Sequence, residues 1–311
     1  MTSDQGTRSA SAPSTGERTP AARGRFARLL RKHRWLRPLL RDKGFWLGGS
    51  TVFGITLVAL CAPLLTPHDP TWMEPMDRLK APSWEHPFGT DNSGRDVFSM
   101  VIFGSRISLI VGAAVMLLSS VAGIGLGLAA GHSRTLDNLI MRLNDGLMAF
   151  PAIVLAIALM AALGPGVLNI IVALSVVDTP RMARIVRSVA LSVKELDFVE
   201  AARAMGASNA TVAFRHILPQ CIPPIIVQGT FVFAFAVLAE SSLSFLGVGA
   251  PPYIPSWGNI ISTGRLYMID APWISLFPGI TILAMILALN LLGDALRDSF
   301  DPRMQKIVGP A

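Results

Sequence analysis

The sequence is short of charge. Asp, Glu, Lys and Arg make up 15% of its 311 residues, against about 25% in an average soluble domain, too few for an ordinary solvated surface. It is also short of clustered catalytic groups. Its five histidines, His33, His68, His86, His132 and His216, are scattered along the chain. They form no H-E-x-x-H pair, and no nucleophile elbow accompanies them, so a membrane-embedded enzyme is disfavoured. No G-x-x-x-x-G-K-[ST] loop occurs, so the chain has no phosphate cradle of that kind, and no bound cofactor is expected. Two cysteines, Cys61 and Cys221, are too few for a disulfide framework and read as buried thiols.

What is present is apolar. Residues of that class supply 51% of the chain and the mean hydropathy is +0.52, which points to an all-α, multi-pass membrane protein. The formal charge of +7 is concentrated outside the apolar runs, where cations meet lipid headgroups. The partner implied is a bilayer and not nucleic acid.

Residues 1–22, rich in Ser, Thr, Gly and Pro, bury too little to offset the entropy of ordering and read as a disordered tail. Residues 23–44 mix Arg and Lys with Phe26, Leu29, Leu30, Trp35, Leu36, Leu39 and Leu40, the pattern of an interfacial amphipathic segment that Pro38 bends or ends. A secretory signal is the other reading, but the apolar span that follows is too long for one and lacks a small-residue cleavage site.

Six stretches approach the length of about 20 residues that a bilayer requires. They are 45–65, 109–130, 147–163, one beginning at Val167, 222–238 and 273–292, within a membrane domain of residues 45–297. The fourth is weak, because Asp178, Thr179 and Pro180 interrupt it. With these spans, 22 of the 27 Lys and Arg residues fall on one side, which the positive-inside rule assigns to the cytoplasm. Both termini, including the tail 298–311, are expected there, as is the loop 191–220. Residues 66–106 form the first external segment. Within it HPFGTDNSGRDVFS, residues 86–99, reads as a turn before a short amphipathic helix. Asp91, Ser93 and Asp96 do not keep the calcium-loop spacing, so capped turns and no metal are expected.

The most informative stretch is 200–219, EAARAMGASNATVAFRHILP. Good helix formers run from Lys194 to Met205, Gly206 suits a helix stop, and Ser208 suits the cap of a second short helix. On the first helix Phe198, Ala202 and Met205 share one face and are expected to pack, with Glu200 and Arg203 opposite. Two acids in the spans, Asp178 and Glu240, are candidates for the substrate path or for a helix interface. Ser241, Ser242 and Ser244 are within reach of Glu240, and Asp145 reads as a surface residue.

Glu200, Ala201, Ala202, Arg203, Gly206, His216, Leu218 and Pro219 resemble the signature loop of binding-protein-dependent ABC importer permeases. The HILP variant at its end is similar to the dipeptide, oligopeptide and nickel branch. HPFGTDNSGRDVFS with GSRISL (104–109), MRLNDGLMAFP (141–151), ESSLSFLGVG (240–249) with PPYIPSWG, and LRDSFDPR resemble its second permease subunit. The resemblance implies a type I importer fold of six helices in a bacterial inner membrane. It further implies a second homologous permease, two cytoplasmic ATPases that use ATP and magnesium, and an external substrate-binding protein. Di- or oligopeptides are the cargo implied, with nickel complexes or haem carried by similar systems. An ion-coupled secondary transporter is the rival class; it would need internally repeated halves, and none is found.

Overall fold

The structure, a computed structural model, describes residues 36–300. The tail 1–22, residues 23–35 of the interfacial segment and residues 301–311 lie outside the described residues. Those described form helices and turns with no strand, apart from one isolated bridge between Thr90 and Asp96.

Helix α1 (Leu36–Arg41) leads into α2 (Lys43–Leu60), where the Asp42 carboxylate accepts the Phe45 N–H as an N-cap. The chain breaks at Cys61 and, with a proline in its first turn, makes the short α3 (Ala62–Leu65). A turn-rich segment then reaches α4 (Val97–His132), which the Asp96 side chain caps by accepting the Ser99 N–H. At 36 residues, α4 is about 54 Å long. The separate short helix expected after the turn is its first part, because no proline separates residues 97–108 from the span that follows. Arg106 extends from α4 to donate to the Ala59 and Leu60 carbonyls at 2.6 and 2.9 Å, satisfying the last turn of α2.

The amphipathic α5 (Arg134–Met148) and the apolar α6 (Ala152–Leu163) meet at Pro151 with a bend of 92°. The span expected at 147–163 is therefore a helix of 12 residues, about 18 Å long and short of a hydrocarbon core of about 30 Å. Next comes α7 (Val167–Lys194), which continues through Pro180 without ending. The segment after it contains α8 (Asp197–Ala204) and a single turn, α9 (Asn209–Thr211). A π-helical stretch, Val212–Ile217, then runs into α10 (Leu218–Phe245). The chain closes with α11 (Trp257–Gly264) and α12 (Trp273–Phe300).

Among the described residues four helical stretches are long and apolar enough to cross a membrane: α2, α4, the continuous run Asn209–Phe245, and α12. The bent pair α5–α6 makes a fifth if it counts as one span. Helix α7 has the length, but Asp178, Arg181 and Arg184 interrupt its apolar run.

Among the described residues, helices α4 and α7 form the most extensive pairing. Its cause is a row of small residues, Gly123, Gly127 and Gly131, one turn apart on α4. A Cβ at Gly123 would lie 2.5 Å from Met182, at Gly127 2.6 Å from Val186, and at Gly131 2.9 Å from Ala190. Only glycine lets the backbones approach so closely, and close approach supplies the dispersion that holds helices together where lipid competes for apolar contact. Three apolar clusters complete the packing. One joins α4, α6, α7 and α10 through Val111, Met160, Leu174 and Val232. A second joins the start of α4 to α10, α11 and α12 through Val97, Val237, Trp257 and Met285. The third seats the residues around α8 and the π-helical stretch on α7.

Candidate functional site

The segment after α7 is built as a docked helix and a tight stop. Asp197 and Glu200 lie in the first turn of α8 and Arg203 in its last, each on the favourable side of the helix dipole. At the C-terminus Ala207 N–H donates to Ala202 O and Gly206 N–H to Arg203 O, the paired bonds of a Schellman turn. Gly206 holds φ at +88°, a left-handed value that costs other residues about 1–2 kcal/mol. Ser208 then accepts the Thr211 N–H, as its residue type suggests.

Two expectations are corrected here. The helix starts at Asp197, because Lys194 belongs to α7 and donates its ammonium to the Gly131 and His132 carbonyls at the end of α4. The packed face is Val199 and Ala202, joined by Val212, Ile217 and Cys221 against Met182, Val186, Ala190 and Val193. Phe198 is 44% exposed and Met205 83% exposed, so both stand with Glu200 and Arg203 on the offered side. Periodicity allowed either stripe, and the shape of α7 and the π-helical turn chose the other.

The second helix is not a short, separate one. Ser208 starts a continuous helical run into α10, and His216 lies in its π-helical part. Pro219, Pro223 and Pro224 follow. A proline lacks an N–H and crowds the carbonyl four residues earlier; for Pro219 that carbonyl belongs to Arg215, inside the π-helical stretch, whose wider turn relaxes the conflict. The His216 ring lies half-buried, 6.3 Å from the Phe198 ring. Ala201 and Pro219 are exposed, and Leu218 is half-buried.

The two acids of the spans have different surroundings. Glu240 on α10 is 0% exposed. Its Oε2 accepts from Ser108 Oγ of α4 at 3.0 Å and from Ser241 Oγ at 3.4 Å, and its Oε1 accepts from Ser244 Oγ at 2.9 Å. Ser256, the N-cap of α11, turns its hydroxyl to the same carboxyl. Ser242, expected among these partners, donates to Leu238 O and takes no part. Asp178 on α7 is 1% exposed, yet its Oδ2 has no hydrogen-bond partner and neither has Ser175 Oγ one turn earlier. Arg181 Nη1 stands 3.8 Å from Asp178 Oδ1, itself 48% exposed in its side chain. Asp145, as expected, is exposed, and it accepts from Arg184 at 2.8 Å.

At the other end of α4, Asp91 accepts the Ser93 and Arg95 N–H groups and pairs with Arg95, so it acts as a turn cap. The glycine row on α4 and the contributions of Ser108 and Ser256 were not picked out from the sequence. The four-residue repeat of small residues is the signal that would have found the first; nothing local marks the serines.

Residues 119–306 match the model of the binding-protein-dependent transport system inner membrane component, and the chain belongs to that family. Residues 31–82 match the N-terminal transmembrane domain of oligopeptide transport permease C. The protein is thus a membrane-embedded transport subunit, a multi-pass inner-membrane permease of the ABC type. Among its relatives, a peptide transport system permease protein of Brucella abortus is 49% identical over 269 residues, which cover 86% of this chain and 91% of that protein. The dipeptide transport system permease protein DppC of Alkalihalophilus pseudofirmus is 42% identical, with 86% and 88% covered. The glutathione transport system permease protein GsiD of Pectobacterium atrosepticum is 40% identical, with 86% and 95% covered. In fold, the chain is similar to a crystal structure of an amino acid ABC transporter with histidines, at a TM-score of 0.51 and 16% identity. That likeness covers 64% of this chain and 94% of that one.

Proposed function

We propose that this chain is one of two permease subunits of an ATP-driven importer and forms half of a pathway for di- and oligopeptides. Six spans, with both termini on the cytoplasmic side, are the topology the charge distribution supports. ATP and magnesium are bound by two partner ATPases, and an external binding protein delivers the cargo. The peptide assignment rests on relatives whose names specify peptides, dipeptides and glutathione, itself a tripeptide.

The observation that carries the coupling role is the mounting of α8. Its inner face, Val199 and Ala202, is keyed to α7, and α7 is keyed to α4 by the glycine row. Its outer face offers Phe198, Glu200, Arg203 and Met205. A rigid helix so mounted passes a push from a partner into the membrane helices, where a loose loop would absorb it. Of the two buried acids, Asp178 with its open oxygen is the pathway candidate, and Glu240 is an interface residue joining α4, α10 and α11.

The test is Gly206→Pro and Glu200→Lys in the assembled system, with peptide uptake and ATPase co-purification measured together. Uptake is expected to fall at least tenfold in both, with ATPase retention reduced for Glu200→Lys. Uptake at the wild-type level in both variants would overturn the coupling role.

A further inference from the structure

We propose that His68, His86 and Asp96, gathered at the start of α4, form a binding site for a divalent first-row transition metal ion of the zinc class. Each of the three offers one ligand atom, and these atoms all lie within 4.8 Å of one another. The two imidazole rings lie 5.0 Å apart by centroid. His86 Nδ1 stands 3.0 Å from Asp96 Oδ1. Asp96 Oδ2 is already engaged by the Ser99 N–H and hydroxyl at 2.8 and 2.7 Å, so Oδ1 is the oxygen turned to the site. His68 Nδ1 is buried and has no hydrogen-bond partner.

The electrostatics favour a cation. Among the described residues no lysine or arginine pairs with Asp96; Lys80 pairs with Asp77 and Arg95 with Asp91. Asp77 adds a second carboxylate, with Oδ2 3.4 Å from His86 Nε2. A carboxylate behind the distal nitrogen of a ligating imidazole orients the ring and raises its basicity, so Asp77 is the positioning residue. Two imidazoles and one carboxylate match zinc and its neighbours, whereas calcium and magnesium take oxygen sets. Zinc bonds of about 2.0–2.1 Å bring tetrahedral ligand atoms to roughly 3.3 Å apart. The contraction from within 4.8 Å to that spacing would fall on His68, which is half-buried. Three protein ligands leave a fourth position for water.

The framework around the ligands is rigid. Gly94 holds φ at +75°, and a Cβ there would lie 1.8 Å from Glu74 O. Trp273 Nε1 of α12 donates to Thr90 O at 3.1 Å. A bound ion would tie the chain after α3 to the N-terminal cap of α4, at the end of that helix remote from the coupling segment.

The experiment uses the full chain purified with its partner subunits, without a polyhistidine tag, and stripped with a chelator. Equilibrium dialysis against Zn²⁺ with metal analysis, and Co²⁺ as a visible-absorbance probe, read the site. One equivalent of Zn²⁺ per chain and a Co²⁺ band of a four- or five-coordinate ion are expected. His68→Ala, at a half-buried position, is expected to abolish the band and weaken Zn²⁺ binding at least 100-fold. Asp77→Asn is expected to weaken it about 10–100-fold, as the loss of a carboxylate behind a ligating histidine does. The absence of a saturable Zn²⁺ site in the wild type, or unchanged binding and absorbance in His68→Ala, would overturn the proposal.

Discussion

Among the described residues, two carboxyl groups, those of Glu240 and Asp178, are buried between membrane helices, and they are treated in opposite ways. Around Glu240, hydroxyls from α4, α10 and the cap of α11 meet both oxygens. Around Asp178, one oxygen is left open beside an equally unpartnered Ser175 hydroxyl. A satisfied buried polar network locks one arrangement of its helices, whereas an unpaired group in the same setting costs free energy and persists where something else requires it. The cage around Glu240 joins three helices, and the gap around Asp178, beside Pro180 on α7, is the feature on which the proposed pathway role of Asp178 rests.

The sharpest way to break this contrast is Glu240→Ala. It strands up to four serine hydroxyls and opens a cavity, each stranded group costing about 1–3 kcal/mol, so a loss of about 3 kcal/mol or more is expected in a denaturant titration of the detergent-purified protein. A stability close to wild type would show that the cage is ornamental. Next in size is Asp178→Asn. The variant removes a buried charge at little structural cost, and unfolding is expected to leave it as stable as wild type while uptake falls at least tenfold. If its stability drops as far as that of Glu240→Ala, the two acids do the same job and the contrast fails. Ser108→Ala removes one donor from the cage and should cost about 1 kcal/mol. The same substitution at Ser242, which donates to its own helix, is the control expected to change unfolding by less than half of that. The smallest effect belongs to Arg181→Ala. Its side chain is half-exposed and 3.8 Å from Asp178, and pairs of that kind contribute about 0–1 kcal/mol. A larger loss in thermal unfolding would mean that Asp178 is held as a paired charge after all.

Much of the fold was legible because a bilayer restricts the choices. Apolar runs of sufficient length marked α2, α4, α10 and α12, and Asp178 with Pro180 marked α7 as the weak member. The bend of 92° beside the third run was not legible, since composition reports the apolar content of 147–163 and not the turn of the chain at Pro151. In the coupling segment Gly206 and Ser208 were legible from their own backbone chemistry. The buried face of α8 was not, because a short helix with Phe198, Val199, Ala202 and Met205 carries two possible stripes, and only the surface it meets selects one.

The sequence by itself determined the environment, the family and the stop of α8 at Gly206, since each depends on local composition or on a single residue's backbone preference. Only the tertiary structure decided which acid was satisfied and which was left open. It alone brought His68, His86 and Asp96 together over a separation of 28 residues, and it alone keyed α7 to the glycine row of α4. The physical reason is common to all three: hydrogen bonds, metal ligands and close helix contacts act over a few ångströms in space, and spacing along the chain does not encode distances between elements that meet only when folded.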